Sequence, residues 1–156
     1  MRIGTGYDMH RLEVGHPFIL GGVKIPFDKG SVAHSDGDTL LHAITDALLG
    51  AAALGDIGGH FPDTDPQNKG KESRFFLGEV GALIRKKGFK IENIDATIIL
   101  QAPKLAEYIP AMRNNIAECL DLGLDRVSIK AKTNEKLDAI GHGNGVAVHA
   151  VVLLSC

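Results

Sequence analysis

Val146-Ala147-Val148-His149-Ala150-Val151-Val152-Leu153-Leu154 has one polar side chain in nine residues, His149. Apolar side chains on both faces of an extended segment suit burial on both sides, so this run predicts a strand that needs cover above and below. Arg2 to Tyr7, Ile94 to Gln101 and Val127 to Lys132 read as the other strands of its sheet. Phe18-Ile19-Leu20 and Val23-Lys24-Ile25 flank Gly21-Gly22, the sequence sign of a two-residue hairpin.

Helices fall between these strands. Asp38 is a good N-cap for a helix to about Leu54, with Leu41, Ile44, Leu48 and Ala51 on one face, His42 and Asp46 on another, and Gly55 as the stop. Lys71 to Lys87 reads as helical in spite of Gly78 and Gly81, and Pro110 suits the first turn of a helix ending near Leu122-Gly123. Asp28 to Gly37 lacks periodicity and reads as a loop, and Pro103 to Glu107 as a turn. Gly55 to Gly70 is too rich in glycine, proline and aspartate for regular structure, and so long a loop in a small chain is functional or disordered. Strands and helices mix without a strict βαβ rhythm. The prediction is an α+β (mixed α/β) fold: a small mixed four-stranded sheet with helices on one face, and a short β-hairpin near the N-terminus. Three or so helices cover one face only, so the other face calls for a second copy of the same sheet, a homo-oligomer.

At 156 residues the chain reads as one domain, 1–156, long enough to bury a core without disulfides or a structural metal. An aromatic content of 5%, the absence of tryptophan and a net charge of -2 argue against nucleic acid as a partner. A polyanionic small substrate therefore needs local cations. Cys119 and Cys156 have no metal or redox spacing and read as free thiols suited to a reducing cytoplasm. Met1 to Gly6 enters structure at once, without a signal or transit pattern, and no stretch reaches membrane-spanning length, so the expectation is a cytoplasmic protein with no membrane partner.

Asp8-Met9-His10 sets a carboxylate and an imidazole two apart, on the same side if the strand continues. With His42 they make one carboxylate and two imidazoles, the three-ligand recipe of a zinc site whose fourth position stays open. Asp46, one turn on, or Asp38 could hold the second ring nitrogen of His42, and the sequence leaves that choice open. Ala33-His34-Ser35-Asp36-Gly37-Asp38 leads into a helix, where free backbone N–H groups favour an anion such as phosphate. Thr133-Asn134-Glu135 offers a hydroxyl and a hard oxygen ligand suited to Mg²⁺ or Mn²⁺, with cations nearby. Gly4-Thr5-Gly6 and Gly141-His142-Gly143-Asn144-Gly145 have neither dinucleotide nor P-loop spacing.

Taken in order, Gly4-x-Gly6-Tyr7-Asp8-x-His10, Ala33 to Asp38, Leu41-His42-Ala43, Asp46 to Gly58, Phe61-Pro62-Asp63-Thr64-Asp65, Gln101-Ala102-Pro103-Lys104 and Lys130 to Leu137 closely resemble the methylerythritol cyclodiphosphate synthase family. The resemblance spans the whole chain. It implies a homotrimeric enzyme of the non-mevalonate isoprenoid pathway, with active sites between subunits, that cyclises a cytidine diphosphate derivative of methylerythritol 2-phosphate and releases CMP. Asp8, His10 and His42 resemble that family's zinc ligands, and Glu135 the ligand of a second divalent ion, Mg²⁺ or Mn²⁺. His34, Ser35 and Thr133 resemble the groups around the reacting phosphates. Asp56, Ile57 and Gly58, with Phe61, Pro62, Asp63, Thr64 and Asp65, resemble the loop holding the ribose and methylerythritol parts. Leu100, Gln101, Ala102, Pro103, Lys104, Leu105 and Ala106, with Lys132, Thr133, Asn134 and Glu135, resemble the cytidine and diphosphate pocket of the adjoining subunit.

The turn after Leu137 departs from the family: Ala139 and His142 stand where an aromatic ring and an arginine are usual. Ala139 lacks the ring and His142 is a weaker substitute for a guanidinium, so the expected grip on an isoprenoid diphosphate, which the family pattern implies on the trimer axis, is weaker here. A zinc phosphohydrolase and a non-catalytic trimeric binding protein are the rival readings.

Overall fold

The computed structural model describes residues 1–62, 64–68 and 71–156. The apolar C-terminal run forms β7 (Gly145–Ser155), and it lies in the middle of the main sheet. β1 (Arg2–Val14) pairs with it antiparallel on one side and β5 (Lys90–Ile99) on the other. β6 (Val127–Lys132) adds parallel to β5, and β4 (Lys29–Ser31) adds antiparallel to the far end of β1. The sheet order is therefore β4-β1-β7-β5-β6. A separate hairpin, β2 (Ile19–Leu20) and β3 (Val23–Lys24), turns through Gly21 and Gly22 at φ 58° and 69°, the left-handed pair that a tight hairpin requires.

Among the described residues the sheet has five strands, not the four expected. Three residues are too few to show a period of two, which is why β4 reads as loop in the sequence. β1 also runs beyond Tyr7, because each residue from Arg2 to Arg11 has a partner on β7.

α1 (Thr39–Ala51) lies across β1 and β7, and its contact with β1 depends on two glycines. A Cβ at Gly4 would sit 2.0 Å from the Ala47 carbonyl oxygen, and one at Gly6 1.9 Å from that of Ala43, so only glycine admits the helix at this depth. Its own Leu40, Leu41, Ile44, Leu48 and Leu49 are buried, together with Val146, Val148, Ala150, Val152 and Leu154 of β7. On the opposite face of β7, Gly145 and Ala147 are buried, while His149 and Val151 are exposed beside Ile3, Tyr7 and Met9 of β1. Among the described residues, helices cover the central strand on one side only.

Asp38 caps α1 and ties it to the hairpin. Its carboxylate accepts the N–H groups of Leu41 (3.0 Å), Gly21 (2.9 Å) and Gly22 (2.7 Å). Complete burial nevertheless pushes Asp38 up to about 6.

α3 (Ser73–Lys86) and α4 (Ile109–Leu120) complete the helical layer, while α2 (Ile57–His60) and α5 (Asp138–Gly141) are single turns. The stretch read as irregular from Gly55 onward thus contains α2 and a 3₁₀ turn at Pro66–Asn68. Both are too short to leave a periodic signal.

Candidate metal centre

Beyond Gly4 and Gly6, the next residues on the same face of β1 are Asp8 and His10, and they meet the first turn of α1 where His42 projects. Asp8 Oδ2 lies 3.2 Å from His10 Nδ1 and 3.3 Å from His42 Nδ1. One ligand atom from each of the three residues fits within 4.8 Å of the other two. Asp8 Oδ2 is buried, yet neither ring nitrogen meets it with hydrogen-bond alignment. A buried carboxylate oxygen with two imidazole nitrogens converging beside it is a donor set that a cation would satisfy. Burial opposes the charge on Asp8, but the two imidazoles outweigh it and hold the carboxyl well below the usual carboxylate range. Burial likewise opposes a proton on His42, and Asp8 beside it, with Asp38 and Asp36 farther away, raises its affinity for one.

The three donors open onto a cavity of about 550 Å³. His34 and Ser35 line it from the segment between β4 and α1, Ile57 and Gly58 from α2, and Phe61, Asn68 and Phe76 close its far wall. Phe61 and Phe76 pack ring to ring with centroids 4.8 Å apart. Asp56 caps α2 through the Gly59 N–H (2.9 Å), and Asp46 accepts the Ile57 N–H at 2.7 Å, which fixes α2 against α1. The Pro62 carbonyl receives the Asp65 N–H and the Asn68 side-chain amide, so Pro62, Thr64 and Asp65 belong to a folded-back segment beside the cavity. Asp63 lies outside the described residues.

Leu100–Ala106 and Lys132–Asp138 form a second group of residues that does not line this cavity. They are joined by Leu100 N–H to the Lys132 carbonyl (2.9 Å) and Lys136 N–H to Gln101 Oε1 (3.2 Å). Thr133 donates its hydroxyl to Glu135 (2.9 Å) and Asn134 its amide to Asp138 (2.7 Å). Leu100 and Leu105 turn their side chains into the core, which leaves Gln101, Ala102, Pro103, Lys104 and Ala106 at the surface with Lys132. Glu135, Lys136 and Asp138 hold φ of 51°, 61° and 58°, a left-handed strain for non-glycine residues.

A model of the YgbB family matches residues 1–155, all but the last residue of the chain. The chain belongs to the YgbB family. A curated relative from Burkholderia mallei (strain SAVP1), named 2-C-methyl-D-erythritol 2,4-cyclodiphosphate synthase, is 60% identical over 98% of this chain and 94% of its own. A solved synthase of that name in a CDP-bound form is 44% identical and superposes with a TM-score of 0.92, covering 99% of this chain and 100% of that one. The bifunctional IspDF from Campylobacter jejuni is 45% identical with a TM-score of 0.93, and the match takes 98% of this chain but 42% of that larger one. At such identity and coverage this YgbB-family chain is an enzyme, a phosphorus–oxygen lyase.

In this YgbB-family fold, Asp8, His10, His42, His34, Ser35, Ile57, Gly58 and Phe61 share one cavity. Thr133, Asn134, Glu135 and the 100–106 segment stand apart from it. The two carboxylates considered as partners for the second nitrogen of His42 are both engaged elsewhere, Asp38 with three backbone N–H groups and Asp46 with Ile57. That nitrogen, Nε2, instead faces Ser73 Oγ at 2.8 Å, and Ser73 in turn contacts Asp36. Sequence reasoning missed Ser73. It stands 31 residues from His42, and a serine opening a helix carries no mark of a tertiary partner. Among the described residues, no helix is long and apolar enough to cross a membrane.

Proposed function

We propose that this YgbB-family enzyme catalyses the metal-dependent cyclisation of 4-diphosphocytidyl-2-C-methyl-D-erythritol 2-phosphate to 2-C-methyl-D-erythritol 2,4-cyclodiphosphate in the non-mevalonate isoprenoid pathway, working as a cytoplasmic, single-domain homotrimer. The observation that carries the reading is the convergence of Asp8, His10 and His42 on one buried point at the mouth of a cavity edged by His34 and Ser35. Asp8, His10 and His42 are a fitting donor set for Zn²⁺, and Glu135 for Mg²⁺ or Mn²⁺. Bound there, the two metals supply the positive charge that a chain of net charge -2 lacks when two phosphoryl groups must approach each other.

A 2-phosphate oxygen attacks the β-phosphorus of the same molecule. The bond from that phosphorus to the oxygen bridging the α-phosphate breaks, and CMP leaves with the bridging oxygen. No protein nucleophile is needed, because folding the substrate into ring geometry contributes about 7–11 kcal/mol to lowering the barrier. His34 and Thr133 donate hydrogen bonds to the developing charge. Ile57, Gly58 and Phe61, with Asp56 and the segment Pro62 to Asp65, hold the ribose and methylerythritol parts. Residues 100–106 and Lys132 to Glu135 bind the cytidine and diphosphate of a substrate anchored in the adjoining subunit's cavity. Their separation from the metal-site cavity within one chain supports such a shared site.

Phosphorus NMR of the purified protein with this substrate, before and after chelation and with zinc restored, tests the proposal. Cyclic diphosphate and CMP, lost on chelation and regained with metal, are expected. Linear phosphates would instead make the protein a hydrolase, and untouched substrate in the metal-loaded sample a binding protein.

A further inference from the structure

We infer that Ser73 and Asp36 form a relay that fixes the proton of neutral His42 on Nε2 and leaves Nδ1 bare for the metal. The inference rests on the reading of Asp8, His10 and His42 as metal ligands. Asp36 takes the Ser73 backbone N–H on Oδ2 at 2.9 Å, and its Oδ1 contacts Ser73 Oγ. Each Asp36 oxygen also accepts a backbone N–H, so both act as acceptors and the single hydroxyl proton of Ser73 is committed to Asp36. The oxygen then has only lone pairs to offer His42 Nε2, 2.8 Å away, and Nε2 must be the N–H donor. In a neutral ring the other nitrogen, Nδ1, carries no proton, and Nδ1 is the atom that lies 3.3 Å from Asp8 Oδ2.

The relay is held rigidly. Ser73 is 1% exposed at the start of α3, and Asp36 Oδ1 also accepts the Asp38 N–H at 3.2 Å, which ties the relay to the residue that caps α1. α3, through Ser73, and the segment before α1, through Asp36, thus act together on one imidazole of α1. Ser73 and Asp36 are positioning residues and touch no substrate atom in this account. Outer partners of metal-binding histidines change affinity by about 10–100-fold when removed, and that is the scale expected here.

The test uses the full chain with Ser73→Ala and Asp36→Ala. Long-range proton–nitrogen NMR of the metal-free protein at alkaline pH, where the rings are neutral, reads which nitrogen of His42 is protonated. The wild type is expected as the Nε2–H form, and both variants are expected to gain the Nδ1–H form. Zinc affinity, measured by competition with a chromophoric chelator, should fall about 10–100-fold in each variant, and the double variant should be no worse than the more affected single one. Amide dispersion in the same spectra shows that a variant is folded. A folded Ser73→Ala protein that keeps the Nε2–H form and wild-type zinc affinity overturns the relay, as does a wild type found as Nδ1–H. A wild type without zinc affinity overturns the metal reading instead, and the ring spectra still decide the proton.

Discussion

His34 lies on the cavity wall but outside the three-ligand cluster, so its contribution separates cleanly from metal binding. Replacing it with alanine is expected to lower kcat about 100- to 1,000-fold, the cost of losing one donor to developing charge, while zinc content by elemental analysis stays at the wild-type level. Asp38 makes a prediction of a different kind. Its native value near 6 stands above the ordinary 3.8, so between those two the folded state holds a proton that the unfolded state has released. Stability from this group is full below the window and is lost as pH rises through it, by about 3 kcal/mol for a shift of that size. Asp8 has the opposite sign, since its lowered value removes stability as pH falls, but only below the window. Urea unfolding of wild type and Asp38→Asn across pH 4 to 6 should show the difference between them growing toward acid, and a flat difference would contradict the assignment. Asp38 was legible as a cap from its place before an apolar helix; its grip on Gly21 and Gly22 was not, because nothing local links a carboxylate to a hairpin 16 or 17 residues back.

At the scale of elements, the crossing of α1 over β1 sets the site. Gly6→Ala places a methyl group 1.9 Å from a backbone oxygen, which only separation of helix and strand can relieve. A loss of about 1–3 kcal/mol in chemical denaturation is expected, with weaker zinc binding, because Asp8 and His42 ride on the two elements being pushed apart. The longer elements α1, α3, α4, β5, β6 and β7 were legible in outline, β5 with its start read at Ile94 rather than Lys90, and the hairpin followed from Gly21-Gly22. Short pieces such as β4 and α2 were not, since their reason for existing lies in a partner, the end of β1 for one and the Asp46 carboxylate for the other. The same holds for Gly4 and Gly6. Sequence spacing rules them out as a nucleotide loop but is silent about a helix some 40 residues away in the chain.

For the molecule as a whole, the outward face of the sheet carries Ile3, Tyr7, Met9 and Val151 at 69%, 52%, 56% and 39% exposure, an apolar surface of the kind that marks an interface. Sedimentation equilibrium is expected to give three copies per particle. Val151→Asp, at a position already open in the single chain, should leave each copy folded and still able to bind zinc at Asp8, His10 and His42, yet abolish turnover by separating those ligands from the Thr133 and Glu135 group of a neighbour. Retained activity in a proven monomer would show instead that one chain suffices. The sequence pointed to this surface, and to a second copy of the sheet as its cover, through the double apolar face of β7.

One strand alternates, along a single face, from Gly4 and Gly6 to Asp8 and His10. The half that sets how closely the helix may approach is continuous with the half that presents the donors, so fit and chemistry share a single degree of freedom. Elsewhere in the core, a lineage can trade one apolar side chain for another and recover what it loses by repacking. Along this strand it cannot: a change that thickens the contact also misplaces the charge. The crossing should be the slowest part of the fold to diverge, and a redesign for heat tolerance should begin anywhere else.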